Sequence, residues 1–160
     1  MNRAGWIYRT FWILFACLGA NHAARADDDR RGAPVALLPT YKQECAACHL
    51  AFPPGMLPRD SWQRLLDNLP RHYGTDASLD AATVNELATW LGANAGTDRR
   101  VREAPPEDRI TRSVWFIRKH HGVPAAAWQR PAVKSAANCI ACHAQADQGD
   151  FNEHRVRIPR

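Results

Sequence analysis

Two five-residue motifs, each a pair of cysteines followed directly by a histidine, constrain this chain more than any other feature. They read CAACH at residues 45–49 and CIACH at residues 139–143. Positions i, i+3 and i+4 of a helix share one face, so both thiols can reach one porphyrin edge while the histidine reaches the iron. This spacing is the signature of covalent c-type haem attachment, and we predict two haem c groups. The predicted thioether residues are Cys45, Cys48, Cys139 and Cys142, and the predicted proximal iron ligands are His49 and His143.

Paired cysteines also occur in zinc sites, redox-active dithiols and structural disulfides. Zinc knuckles usually separate their two pairs by about 15 to 20 residues, whereas Cys48 and Cys139 are 91 positions apart. A redox-active dithiol is expected near a βαβ pattern, and the chain shows none. Two disulfides would suit an exported chain, but they would not explain the histidine after each pair. Disulfides are therefore the main alternative to haem.

The first 26 residues have the layout of a secretory signal peptide. An arginine-bearing start leads into the apolar run FWILFACLGA at residues 11–20, which is too short to span a bilayer. An A-x-A site follows at residues 24–26, in front of three aspartates. We expect export with cleavage after Ala26, and an uncleaved amphipathic anchor is the alternative. We expect no lipoprotein anchor at Cys17, because Phe15 is too bulky for such a site.

Removal of this segment changes what the charge of the chain implies. The whole chain has 21 Lys and Arg, 16 Asp and Glu, and a formal net charge of +5. The leader carries three arginines and no acidic residue, so the mature chain keeps 18 basic residues (21 minus 3) against 16 acidic ones. Basic and acidic residues also alternate, as in REAPPEDR. This pattern indicates an ordinary solvated surface, and we expect no nucleic acid partner.

The apolar residues recur at helical spacing, and no segment of useful length alternates as a strand does. We therefore predict an all-α fold with short connections and no sheet of significance. Thr40 with Gln43 predicts a capping box before the first haem helix, and Ser78 predicts the cap of a scaffold helix. A further helix is predicted from about Thr111 to His121.

A polar segment with two prolines, residues 94–108, divides the chain into two parts. We predict a flexible polar N-terminus at residues 27–36, followed by one dihaem domain at residues 37–160. Its first haem-bearing half spans residues 37–93, segment 94–108 is a linker, and the second half spans residues 109–160. The halves are not a tandem repeat. In the first half a further histidine, His72, follows the motif, whereas in the second half His120 precedes it.

Each haem iron needs a second axial ligand. The mature chain offers five candidates, which are Met56, His72, His120, His121 and His154. Met56 lies only seven residues after His49, beyond two helix-breaking prolines, so the opposite haem face is hard to reach. His72 continues an apolar stripe, where a histidine is ordinarily a core residue, but the need for two distal ligands favours ligation. His154 lies in a polar tail and is expected to be exposed.

The adjacent histidines at 120 and 121 cannot both aim at one target, because neighbouring helical residues point about 100° apart. His120 has Phe116 and Ile117 one turn behind it, so it continues an apolar stripe. His121 sits beside the terminating Gly122, nearer solvent. We predict that His120 binds the second iron and that His121, when charged, interacts favourably with the helix C-terminus.

Longer stretches around the motifs carry a family resemblance. They read CAACH, FPPGMLP and SWQRLLDNLPRHYG in the first half, and RITRSVWFIRKHHGVP and RPAVKSAANCIACHAQADQGDF in the second. With these residues, over roughly positions 37–160, the chain resembles the dihaem cytochrome c family of bacterial periplasmic proteins. The resemblance implies two low-spin haems with bis-histidine ligation, and His72 and His120 match the family's distal ligands. It also implies electron exchange with an oxygen-binding monohaem cytochrome c and a membrane cytochrome b.

Ligation by two imidazoles decides the expected chemistry. It leaves no coordination site open for a substrate, so outer-sphere electron transfer remains, at the low potentials typical of histidine rather than methionine ligation. We predict a periplasmic electron carrier and not an enzyme, with redox proteins as partners and no small-molecule substrate. The alternatives are a small dihaem peroxidase or nitrogen-oxide reductase, which needs one open or labile iron, and a haem-based sensor, which would need a signalling domain.

Overall fold

The computed structural model describes residues 35–160, which lie within one compact unit, Ala33–Arg160. The predicted signal peptide lies outside the described residues. Within them the backbone forms helices and turns, and the only β-pairing is an isolated bridge between His72 and Thr75. No helix in this part of the chain is long and apolar enough to cross a membrane. The all-α prediction is confirmed.

The described residues contain five α-helices, which are α1 (Pro39–Cys45), α2 (Arg59–Asp67), α3 (Ala81–Asn94), α4 (Val114–Lys119) and α5 (Ala125–Trp128). Short 3-10 turns lie between and after them, at Pro54–Met56, Leu69–Arg71, Pro106–Asp108, Ile110–Arg112, Cys139–Ala141, Ala146–Gln148 and Glu153–Arg155. The longer helices, α2 and α3, both belong to the first half.

The packing of α2 against α3 forms the main apolar core. Trp62 and Leu66 from α2 meet Leu87 and Leu91 from α3, and all four side chains are buried. Their positions four residues apart on each helix place both pairs on one face, which is why these sequences fold as amphipathic helices. The Trp62 indole N–H also donates to the carbonyl of Pro54 at 2.8 Å. This bond ties the turn after the first motif to α2.

Truncation of Leu87 tests how much this core stabilises the fold. Leu87 is fully buried, so we expect Leu87→Ala to lower the free energy of unfolding by about 2 to 5 kcal/mol through lost transfer energy and a residual cavity. Urea unfolding of the holoprotein followed by far-UV circular dichroism measures this loss. The control is Val114→Ala at a largely exposed position, for which a change within about 0.5 kcal/mol is expected.

Two of the predicted helix caps are wrong. Thr40 and Gln43 do not cap α1, which begins at Pro39 without a side-chain cap, because proline lacks an N–H that would need a partner at that position. The long helix α3 is capped by Asp80 and not by Ser78. The Asp80 carboxylate accepts bonds of 2.9 and 3.0 Å from two backbone N–H groups of the first turn, a favourable place for a negative charge.

The second half has little regular helix. The helix predicted from Thr111 to His121 is observed only as α4, because the Ser113 hydroxyl accepts from the Phe116 N–H at 3.2 Å and starts the helix there. Few apolar side chains are buried between positions 109 and 160, namely Phe116, Ala127, Val133 and Ala146. Three of these four are small, so the polypeptide alone supplies only a thin core in this half.

Candidate functional site

The first motif begins where α1 ends. Cys45 is the last residue of α1, and the following turn places His49 beside Phe52, with ring planes 26° from parallel and ring centres 5.1 Å apart. One His49 ring nitrogen, Nδ1, lies 2.7 Å from the carbonyl oxygen of Leu50. This contact fixes the ring so that Nε2 points away from the backbone, which suits a metal-ligating histidine.

His72 faces His49 across the first half. His72 directly follows the 3-10 turn Leu69–Arg71, which comes after α2. The ring centres of the two histidines are 6.1 Å apart, and their planes are 23° from parallel. Metal–imidazole bonds are about 2.0 to 2.1 Å long and each nitrogen lies about 1 Å from its ring centre, so two axial imidazoles on one metal have centres roughly 6 Å apart. The observed separation matches that requirement.

The second half repeats this separation with different surroundings. His120, at the C-terminal end of α4, and His143 of the second motif have ring centres 6.2 Å apart and planes at 73°. The His143 N–H donates to the Cys139 carbonyl at 2.8 Å, which makes one helical turn of the motif although no continuous haem helix forms. Each candidate distal histidine therefore faces the motif histidine of its own half, with no crossing between halves.

The other candidate ligands lie elsewhere. Met56 is in the 3-10 turn Pro54–Met56, His121 is exposed with its Nδ1 2.8 Å from the carbonyl of Arg118, and His154 is exposed in the tail. The contact of His121 is with a carbonyl of the last turn of α4, where a positive charge is favourable. The structure brings none of these three against a motif histidine.

The four cysteines lie in two separate pairs, one in each motif. All four carry free thiols, and no group of three or more potential metal-ligating residues forms among residues 35–160. Burial raises the pKa of the Cys45 and Cys139 thiols to about 11, so before haem attachment both are neutral thiols.

Charged residues of the predicted linker form the wall next to His72. Asp108 accepts two bonds from the Arg64 guanidinium, at 2.7 and 2.9 Å, and the Tyr73 hydroxyl donates to the Glu107 carbonyl at 2.9 Å. Arg109 lies over the Tyr73 ring at 4.0 Å, a favourable cation–π contact. Burial first, and then the positive charges of His49 and Arg109, lower the pKa of His72, which keeps its imidazole in the neutral form that binds metals.

The haem-attachment motifs and these two histidine pairs agree with comparisons to known proteins. The model of the dihaem cytochrome c family matches residues 41–151. The chain belongs to the dihaem cytochrome c family. A comparison with curated proteins gave no significant match.

Solved dihaem cytochromes have the same fold. A dihaem cytochrome c from Shewanella baltica OS155 is 34% identical, with a TM-score of 0.67 over 76% of this chain and 92% of that one. A dihaem cytochrome c from Rhodobacter sphaeroides is 38% identical, with a TM-score of 0.66 over 74% of this chain and 100% of that one. A second structure from Rhodobacter sphaeroides, also at 38% identity, gives a TM-score of 0.63.

Membership in this family shows a helical electron-transfer haem protein with two haem c groups, as predicted. The residues present fit two haems, because each motif histidine faces one further imidazole at the separation that a shared iron needs. The sequence places Phe116 one helical turn before His120, and the Phe116 ring stacks on that imidazole. The position of Phe52 beside His49 was not predicted.

Proposed function

We propose that this dihaem cytochrome c is a periplasmic electron carrier whose two irons each have two histidine ligands. The ligand pairs are His49 with His72 and His143 with His120, and the haems are attached through Cys45, Cys48, Cys139 and Cys142. The observation that carries this proposal is the separation of the two ring pairs, 6.1 and 6.2 Å.

Each bound haem would supply a one-electron iron couple, and the polypeptide controls its environment. The two imidazoles of each pair would hold the iron, and in the resting protein they would keep water and substrate from it. The Nδ1 atoms of His49 and His120 lie 2.7 and 2.9 Å from backbone carbonyls. Such contacts select the tautomer with Nε2 free for the metal and make the imidazole a stronger ligand.

Flat apolar side chains support the two sites. Phe52 stacks on His49 at 5.1 Å, and Phe116 stacks on His120 at 3.9 Å between ring centres. These stacked rings favour one orientation of each imidazole. An iron held by two imidazoles would favour outer-sphere electron transfer over substrate chemistry.

The proposal includes export and redox partners. The layout of the first 26 residues supports periplasmic export, and covalent haem attachment suits an exported protein. The partners that the family resemblance implies are an oxygen-binding monohaem cytochrome c and a membrane cytochrome b. Histidine ligation at both irons supports low potentials, and hence exchange with other low-potential haem proteins.

Turnover assays distinguish this carrier from the enzyme alternative. The fully reduced holoprotein should deliver two electrons to an excess of an oxidised soluble cytochrome in stopped-flow mixing. With hydrogen peroxide or nitrite and a continuous electron donor, we expect no sustained turnover, because neither iron has an open site. Sustained turnover with either substrate would instead support a peroxidase or nitrogen-oxide reductase.

A further inference from the structure

The two proposed distal ligands differ in how firmly the polypeptide holds them. His120 has three restraints. Its Nδ1 lies 2.9 Å from the carbonyl oxygen of Phe116, the Phe116 ring stacks on it at 3.9 Å, and the Trp128 ring lies 5.9 Å away. A hydrogen bond and two aromatic rings therefore oppose any movement of His120 away from an iron.

His72 lacks equivalent restraints. Its Nδ1 is buried and has no hydrogen-bond partner among residues 35–160. Apart from His49, its ring neighbour is Tyr73, which is tilted by 60° at 4.9 Å and is itself 42% exposed. Histidine ligands normally donate their second ring N–H to an acceptor, and loss of that acceptor typically weakens metal binding about 10- to 100-fold. On this basis His72 is the weaker of the two distal ligands.

A cavity of about 460 Å³ lies behind His72. Its lining includes Leu65, Asn68, Glu107 and Asp108, but neither His49 nor any cysteine. The cavity is therefore not the space between the two facing imidazoles. It has room for a displaced imidazole and carries polar groups that can accept a hydrogen bond from it.

The backbone after His72 can contribute to such a movement. Tyr73 has φ of 51° and Gly74 has φ of 96°, so two consecutive residues are left-handed. Glycine adopts this conformation freely, but a tyrosine in it is strained. This strained residue directly follows the proposed ligand His72.

We propose that His72 is a displaceable ligand and that the first haem binds a small diatomic ligand in its place, whereas His120 stays bound. This inference rests on the bis-histidine ligation proposed above. With hydrogen cyanide as the probe, the bond from iron to His72 Nε2 breaks and a bond from iron to the cyanide carbon forms. The proton of hydrogen cyanide passes to the buffer, and no electron is transferred.

Electron paramagnetic resonance can show which haem reacts, because the two ligand pairs differ in ring angle. Near-parallel imidazoles, as in the first pair at 23°, give a rhombic low-spin ferric signal. Near-perpendicular imidazoles, as in the second pair at 73°, give a highly anisotropic one. Cyanide is titrated into the oxidised holoprotein, and both signals are followed.

A cyanide signal should replace both low-spin signals in turn. The rhombic signal should be lost at a cyanide concentration at least about tenfold lower than the concentration that removes the anisotropic signal. Loss of the anisotropic signal first, equal loss of both, or resistance of both would overturn the inference. A high-spin signal before cyanide is added would instead contradict the proposed ligation itself, so the two failures are distinguishable.

Two variants test the structural cause. Leu65→Phe reduces the cavity, and we expect it to weaken cyanide binding at the first haem. The matched control is Leu79→Phe, at a partly buried leucine that packs on the same core outside the cavity. Phe116→Leu removes the ring stacked on His120 and should make the second haem reactive as well. Unchanged cyanide binding in both Leu65→Phe and Phe116→Leu would overturn the proposed cause.

Discussion

Replacement of His120 by alanine should convert the second haem from low-spin to high-spin, so that half of the ferric iron changes its spectrum. The reason is that His120 is the side chain facing His143 at 6.2 Å, and no other described histidine is placed to take over. His121 points to the carbonyl of Arg118 on another face of α4. Absorption and electron paramagnetic resonance spectra of the oxidised variant measure the change.

His121→Ala is the matched control, since it removes the adjacent imidazole from the same helix end. We expect it to leave both haems low-spin. His72→Ala should give the same high-spin fraction as His120→Ala, but from the haem with the rhombic signal. A high-spin haem in His121→Ala together with an unchanged spectrum in His120→Ala would reverse the assignment of the distal ligand.

Removal of the second haem should unfold the second half while the first half stays folded. The double variant Cys139→Ala and Cys142→Ala abolishes the thioether bonds of that haem. The buried apolar residues left in residues 109–160 are Phe116 and three small side chains, which bury too little apolar surface to offset the conformational entropy of folding. The haem is therefore expected to act as the missing core of this half.

Hydrogen exchange with mass spectrometry measures this effect segment by segment. In the double variant, amide protection in α4 and α5 should fall close to that of an unfolded chain, whereas α3 keeps its protection. The corresponding change in the first half, Cys45→Ala with Cys48→Ala, should leave α2 and α3 protected because Leu87 and Leu91 are buried against α2. Full protection of α4 without the second haem would show that the polypeptide supplies its own core there.

The sequence predicted the parts of the fold that depend on local periodicity. Apolar residues four positions apart, Trp62 with Leu66 and Leu87 with Leu91, form the observed α2–α3 core, as the helical spacing of the apolar residues indicates. Helix starts were predicted less well, because several residues near each start could serve as caps. Asp80, and not Ser78, caps α3 because it lies directly before the first turn. The two candidate caps are two residues apart, and the periodicity of apolar residues does not locate a helix start that closely.

The haem motifs could be predicted from the sequence because each lies within five consecutive residues. The residues around the ligands could not, because their positions depend on contacts between distant segments of the chain. The spacing within residues 45–49 and 139–143 already implies two haems. The cavity lined by His72 arises where Asp108 binds Arg64 of α2, which lies 44 residues earlier in the chain. No short pattern in the sequence encodes that contact.

The most direct test of bis-histidine ligation is one electron paramagnetic resonance spectrum of the oxidised, mature holoprotein. Two low-spin ferric signals of equal intensity are expected, one rhombic from the pair at 23° and one highly anisotropic from the pair at 73°. A high-spin signal, or a low-spin signal typical of methionine ligation, would contradict bis-histidine ligation at both haems.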